Sequence, residues 1–207
     1  MIGYLDTLHQ GAWKDETVAL AFIQKALMQA QRLAALTQDV LFLAQIESEG
    51  WQLQLEPIPL GEMVQSLFEE LEALAQRKNI RLEVMATDRT LAVEADPTAL
   101  RLILKNLIEN AIQYSPEGRR VWVSWQIHHG RVRIEVGDEG IGIPPEEIPR
   151  IFDRFYRVDK SRSRSHGGTG LGLTLVRELL QAHRTSIEVT SEVGKGSVFR
   201  FELPLVG

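Results

Sequence analysis

The chain contains no cysteine in its 207 residues, which removes disulfides, thiolate metal sites and cysteine nucleophiles from consideration. The absence also fits a reducing compartment. No apolar run approaches the roughly 18 residues that a membrane span needs, and the opening residues are not built like a signal peptide. Positive charge is not in excess: the net charge of -5 gives no reason to expect a nucleic-acid partner. What remains is ordinary for a folded globular protein, with 44% hydrophobic and 25% charged residues. The length suffices for one sizeable domain plus a smaller element.

Residues 17–48 read as one long helix. Gln24, Gln31, Gln38 and Gln45 recur at a seven-residue spacing, beside Lys25, Arg32 and Asp39, and mark a wet face. Two adjacent apolar seams run opposite. One is Leu20, Ile23, Leu27, Ala30, Ala34, Leu41 and Ala44; the other is Phe22, Ala26, Leu33, Leu36, Val40 and Leu43. Two seams suit burial inside a four-helix bundle, which one helix cannot complete alone, so the expectation is a homodimer through residues 1–48. The competing reading is a helix lying on the core of its own domain. Residues 1–9 look like the end of another helix, and residues 10–16 turn the chain. Gly50, Pro57 and Pro59 predict a linker over residues 51–60.

From Gly61 the pattern changes. Residues 62–78 predict an amphipathic helix, and residues 80–84 and 91–94 short strands. Asp96-Pro97 is a helix start, with Asp able to cap and Pro at the first helical position. That helix should run to about Tyr114. Alternation over 121–127 and 132–136 around His129-Gly130 predicts a hairpin. Residues 170–183 predict a helix, followed by strands at 186–189 and 198–203. The fold class expected is α+β, with helices on one face of a mixed sheet.

Four short segments carry the chemistry: Asn106-Leu-Ile-Glu-Asn110, Asp138-Glu-Gly-Ile-Gly142, Phe152-Asp-Arg-Phe155 and Gly167-Gly-Thr-Gly-Leu-Gly172. Asn106 and Asn110, four apart, put both amides on one helical face. An amide oxygen can ligate a hard cation such as Mg²⁺, whose remaining sites are filled by phosphates and water. A lone Asn pair is more often plain surface. Asp138, at a strand end before Gly140 and Gly142, can accept a hydrogen bond from an exocyclic amine such as that of adenine; alone it would be read as a turn. The glycines at 167–172 lead into a helix whose N-terminal N–H groups suit phosphate. Their spacing matches neither the P-loop nor the dinucleotide fingerprint. Between the glycine clusters, Arg157, Lys160, Arg162 and Arg164 lie in a basic, aperiodic stretch that reads as a flap over phosphates or as a solvated loop.

Together these segments resemble the catalytic ATP-binding domain of sensor histidine kinases, from Gly61 to Pro204. Asn106–Asn110 resembles the family's N box, Asp138–Gly142 and Gly168–Gly172 its first and second glycine boxes, and Phe152–Phe155 its F box. Gly194-Lys-Gly-Ser197 is similar to a trailing glycine box. The flap sequence is similar to that of phosphate-regulon sensor kinases, and residues 1–48 resemble the family's dimerisation and histidine-phosphotransfer hairpin. The resemblance implies a two-layer α/β sandwich of the Bergerat type over 61–207, preceded by a partial helical hairpin over 1–50. It implies ATP and Mg²⁺ as cofactors, with Asn110 on the metal and Asn106 orienting the phosphate end. Arg157, read from the basic stretch as a phosphate contact, is expected to act with Asn106 in transfer; by the resemblance Asp138, with Gly140 and Gly142, would receive the adenine. Tyr114 would pack near the base. Gly168, Thr169, Gly170, Leu171 and Gly172 would line the phosphates, while Phe152 and Phe155 would anchor the flap. The γ-phosphoryl group would pass to a histidine and then to an aspartate of a response regulator.

Two departures qualify the resemblance. Gln113 stands where the family commonly has Lys or Arg. The acceptor motif His-Glu-Leu-Arg-Thr-Pro is absent, and His9 lacks its context, so His9 is expected at the surface. His128, His129 and His183 read as structural, and His166 is left open. The expectation is therefore a kinase core that cannot phosphorylate itself alone, with the acceptor coming from a longer parent chain or another protein. The location implied is cytoplasmic, without membrane contact by these residues. The rival readings are an ATP-binding pseudokinase or scaffold, and an ATPase of the same pocket superfamily.

Overall fold

The computed structural model describes residues 2–46, 48, 52–158 and 169–206. The chain divides into two compact units, Met1–Gln45 and Ile46–Gly207.

The first unit is a helical hairpin. Helix α1 (Ile2–His9) is followed by a single 3₁₀ turn (Ala12–Lys14) and the long α2 (Glu16–Ile46). Asp15 starts α2, its carboxylate accepting the backbone N–H groups of Thr17 (3.0 Å) and Val18 (3.1 Å). This is the N-terminal cap that leaves fewer orphan donors. Tyr4 of α1 meets Phe22 of α2 with ring centroids 5.8 Å apart, and the ammonium of Lys25 lies over both rings. The first seam stays open: Leu20, Ile23, Leu27 and Leu41 are 57%, 52%, 56% and 59% exposed. Of the second seam, Ala26 is buried and Leu33 and Val40 are exposed.

The second unit begins with strand β1 (Glu56–Pro59), then α3 (Leu60–Gln76), β2 (Arg81–Val84), β3 (Ala92–Ala95) and α4 (Pro97–Tyr114). There follow β4 (Arg120–His128), β5 (Arg131–Asp138), α5 (Gly172–Ala182), β6 (Glu188–Glu192) and β7 (Gly196–Pro204). Five strands form one sheet in the order β2-β4-β5-β7-β6. The β2–β4 pair is parallel and the others are antiparallel, so the sheet is mixed as expected. One face carries Val121, Val123 and Trp125 of β4, Val132, Ile134 and Val136 of β5, and Phe199, Phe201 and Leu203 of β7, all buried. Leu67 and Leu71 of α3, Leu100, Leu104 and Leu107 of α4, and Leu175 and Leu179 of α5 are buried too and supply the helical layer. The opposite face is charged, with Arg133 paired to Glu202 and Arg200 to Glu135.

The 51–60 segment differs from the linker expected. Glu56–Pro59 pairs antiparallel with β3, with Ile58 opposite Val93 and buried. Prolines at alternate positions spare one side of a strand, so a two-stranded ladder survives them. Helix α3 accordingly starts at Leu60 rather than at residue 62, and β6 occupies 188–192 rather than 186–189 because Ser191 pairs with Ser197.

Candidate nucleotide site

Helix α4 is held at both ends. At its start the Asp96 carboxylate accepts the N–H of Ala99 at 2.9 Å, with Pro97 in the first turn. The backbone N–H of Asp96 in turn donates to Nε2 of His183 at 3.1 Å. At its end the Lys78 ammonium donates to the carbonyls of Ile112 (3.0 Å), Gln113 (2.5 Å) and Ser115 (2.9 Å). Burial lowers the pKa of Lys78, but the last turn of a helix favours a cation. Between these ends the apolar stripe Leu100, Leu104, Leu107 and Ala111 is buried, which turns Asn106, Asn110 and Tyr114 the other way.

Asn110 and Tyr114 line a cleft together with Asp138, Gly142 and Arg157. Five residues singled out in the sequence thus converge on one cavity. Asp138 ends β5 and is only 6% exposed. One carboxylate oxygen, Oδ1, accepts the N–H of Gly140 at 2.8 Å and that of Ser197 at 3.2 Å. Burial pushes its carboxyl up to about 6, against the downward pull of those two N–H groups. Gly140 admits no side chain: a Cβ there would stand 2.5 Å from the Asp138 oxygen and 2.8 Å from the Tyr114 carbonyl.

The second glycine cluster meets the Asn helix. A Cβ on Gly172, the first residue of α5, would overlap the amide oxygen of Asn106. The Asn106 amide nitrogen donates to the Leu102 carbonyl at 2.9 Å, which fixes which end faces out. Thr169 accepts the N–H of Leu171 at 3.2 Å. The Leu171 side chain is buried, so only its backbone can face a phosphate. Gly170 takes a left-handed φ of 75° and packs against the Phe155 backbone. Gly168 lies outside the described residues, as do Lys160, Arg162, Arg164 and His166.

The aromatic pair ties to α5 and to the glycine turn before it through its backbone. The Phe155 N–H donates to the Gly170 carbonyl, and the Thr174 hydroxyl to the Phe152 carbonyl, both at 2.9 Å. The Phe155 ring itself is 62% exposed. The buried residue at that corner is Ile151, which lines the cleft with Ile141, Ile143, Leu173 and Phe199. Sequence reasoning missed these apolar walls because they come from separate segments and nothing local says that they meet. It also passed over Tyr156, and named Ser197 only as the end of the trailing glycine motif. Tyr156 donates to Glu147 and lies under the Arg150 guanidinium, 4.1 Å from the ring centroid.

Among the described residues no group of three or more His, Cys, Asp or Glu could hold a metal ion. The donors offered are neutral amides, which suits a cation brought with phosphates rather than one caged by protein. No helix among the described residues is long and apolar enough to cross a membrane.

A buried carboxylate at a strand end, paired amides on a core helix and a glycine-rich helix start define an ATP-binding module of the two-layer type. The chain matches the family described as "Histidine kinase-, DNA gyrase B-, and HSP90-like ATPase" over residues 95–207. It is 37% identical over 99% of its length to the sensor histidine kinase WalK of Bacillus subtilis (strain 168), and 34% identical over the same share to the sensor protein kinase WalK of Staphylococcus aureus. Among solved structures, full-length ShkA in complex with AMPPNP superposes with a TM-score of 0.78 at 28% identity, over 93% of this chain and 39% of that one. The chain belongs to the sensor histidine kinases, and it carries their ATP-binding catalytic domain. It spans 34% of the length of the first of these relatives and 49% of the second.

Proposed function

We propose that this chain is a kinase core that binds Mg-ATP in the Asp138 cleft and passes the γ-phosphoryl group to a histidine supplied from outside these residues. The buried Asp138 carboxylate, with one oxygen saturated by two N–H groups, is the observation that carries the proposal. It offers the other oxygen to the adenine amine, beside Tyr114. Asn110 would hold Mg²⁺, which when bound would neutralise charge across the β- and γ-phosphates. Asn106, fixed by the Leu102 carbonyl, orients the phosphate end, and the start of α5 supplies N–H groups to it. Gly168, Thr169 and Gly170 would line the phosphates through their backbone.

Arg157, in the cleft wall, would meet the γ-phosphate as a fork of donors. In the transfer a neutral imidazole nitrogen bonds to the γ-phosphorus while the β–γ bridging bond breaks and ADP leaves. The protein's share is positioning and charge stabilisation. The open seam of α2 supports homodimerisation through residues 1–48. Family membership supports a response regulator as the next acceptor, with the chain on the cytoplasmic side of a membrane-anchored parent.

Isothermal titration with ADP, with and without Mg²⁺, tests the pocket. Wild type should bind with Mg²⁺-dependent affinity and Asp138→Asn should lose at least about tenfold, the worth of one hydrogen bond to a charged group. Equal binding by the two would remove Asp138 from the site.

A further inference from the structure

Asp138, Ser197 and Ser191 stand directly opposite one another on three neighbouring strands, β5, β7 and β6. Residues paired across strands share a face, so their side chains form a row on the helix-covered side, beginning at the nucleotide cleft. Asp138 and Ser197 line that cleft and both are buried. Ser191 stands behind them.

The Ser191 hydroxyl makes three contacts. It lies 2.8 Å from the Ile143 N–H, 3.0 Å from the Gly196 carbonyl and 2.9 Å from the Ser197 hydroxyl. A serine hydroxyl has one proton and two lone pairs. The Ile143 N–H must donate, and the Gly196 carbonyl must accept. Every contact then holds a proton only if Ser191 gives its own to Gly196 and receives that of Ser197. The Ser197 proton is thereby committed to Ser191, which leaves the lone pairs of Ser197 free to accept.

We infer that Ser191 is a specificity-determining positioning residue: by taking the Ser197 proton it makes Ser197 a second acceptor beside Asp138, so that the row selects a purine bearing a 6-amino group over one bearing a 6-oxo group. The inference rests on the reading of this cleft as a nucleotide site. An acceptor pair satisfies an amine donor. It meets a ring carbonyl with lone pairs on both sides, and a buried polar site rejects such a mismatch strongly. Asp138 alone would give the same sign of preference, and Ser191 sets how large it is.

The test compares ADP with inosine diphosphate, which differs at the 6-position, by titration into the 207-residue chain. Wild type should prefer ADP on the order of 100-fold. Ser191→Ala frees the Ser197 proton to donate to a 6-oxo group, and the preference should narrow by about tenfold, mainly through tighter inosine diphosphate binding. Ser191→Thr, which keeps the hydroxyl, should restore the wild-type ratio. In a Ser197→Ala background, Ser191→Ala should leave the ratio unchanged. Equal weakening of both nucleotides by Ser191→Ala, with an unchanged ratio, would reduce Ser191 to a structural role and overturn the inference. A ratio in Ser191→Thr matching Ser191→Ala would do the same. Failure of wild type to bind either nucleotide would instead overturn the reading of the cleft.

Discussion

Gly172 lies against Asn106 so closely that a methyl group at 172 would occupy the space of the Asn106 amide oxygen. Two motifs 66 positions apart in the chain thus share one van der Waals surface. The contact sets where the start of α5 sits relative to the amide face of α4.

Gly172→Ala should separate folding from function. Alanine suits a helix interior better than glycine by roughly 1 kcal/mol and its first position by less, and its obstacle is the tip of one side chain, which can rotate away. Melting should change little or rise. Asn106 would leave its position on the Leu102 carbonyl, and a displaced positioning group costs about 100-fold in transfer rate. Melting curves beside single-turnover transfer to a supplied acceptor hairpin check this; a normal rate would show that the contact is idle.

The Asp138 carboxyl gives opposite pH trends for folding and for binding. Its pKa is about 6 in the folded chain against an ordinary 3.8. The folded state therefore holds this proton more tightly than the unfolded state. The group's contribution to stability is fully present below about pH 4 and lost as pH rises through 6, a change of roughly 3 kcal/mol. Binding an amine needs the carboxylate. Lowering the pH from about 7.5 to about 5.5 should favour the apo fold at this site and shrink the melting shift produced by ADP. Asp138→Asn should remove both trends, and a pH-independent ADP shift in wild type would contradict the role.

Lys78 spends all three ammonium protons on the end of α4. Lys78→Met keeps the stem and strips those bonds from partly buried carbonyls. The loss should be about 1–3 kcal/mol, read as a lower denaturant midpoint with an unchanged slope.

The open seam of α2 should dimerise the chain. Leu27→Glu with Leu41→Glu should shift the sedimentation coefficient from dimer to monomer, because charges cannot enter an a/d-type core. Wild type sedimenting as a monomer would count against the seam as an interface.

Much of this was legible in the sequence because the signals were periodic or chemical. The Asp96-Pro97 start, the alternation of β4 and β5 around His129-Gly130, and the Asn pair opposite a buried stripe each rest on one local rule. The 51–60 segment was not legible: Pro57 and Pro59 argue locally for a break, and only the partner strand β3 makes them an edge. The cleft's walls were hidden for a related reason. Ile143, Ile151, Leu173 and Phe199 come from four separate segments, and nothing in their own neighbourhoods says that they meet. Ser191 was invisible because its role comes from strand register. The likeness of the flap to phosphate-regulon sensors lies largely on residues outside those described.

The most direct measurement is transfer of label from γ-labelled Mg-ATP to a separately made hairpin carrying an acceptor histidine, with this chain as the enzyme and Asp138→Asn as the control. The account predicts acid-labile label on the added hairpin, none on this chain alone, and loss of label in the control. ATP binding with no label on the hairpin would contradict a kinase core and leave an ATP-binding scaffold; steady hydrolysis without a phosphoprotein would leave an ATPase of the same fold.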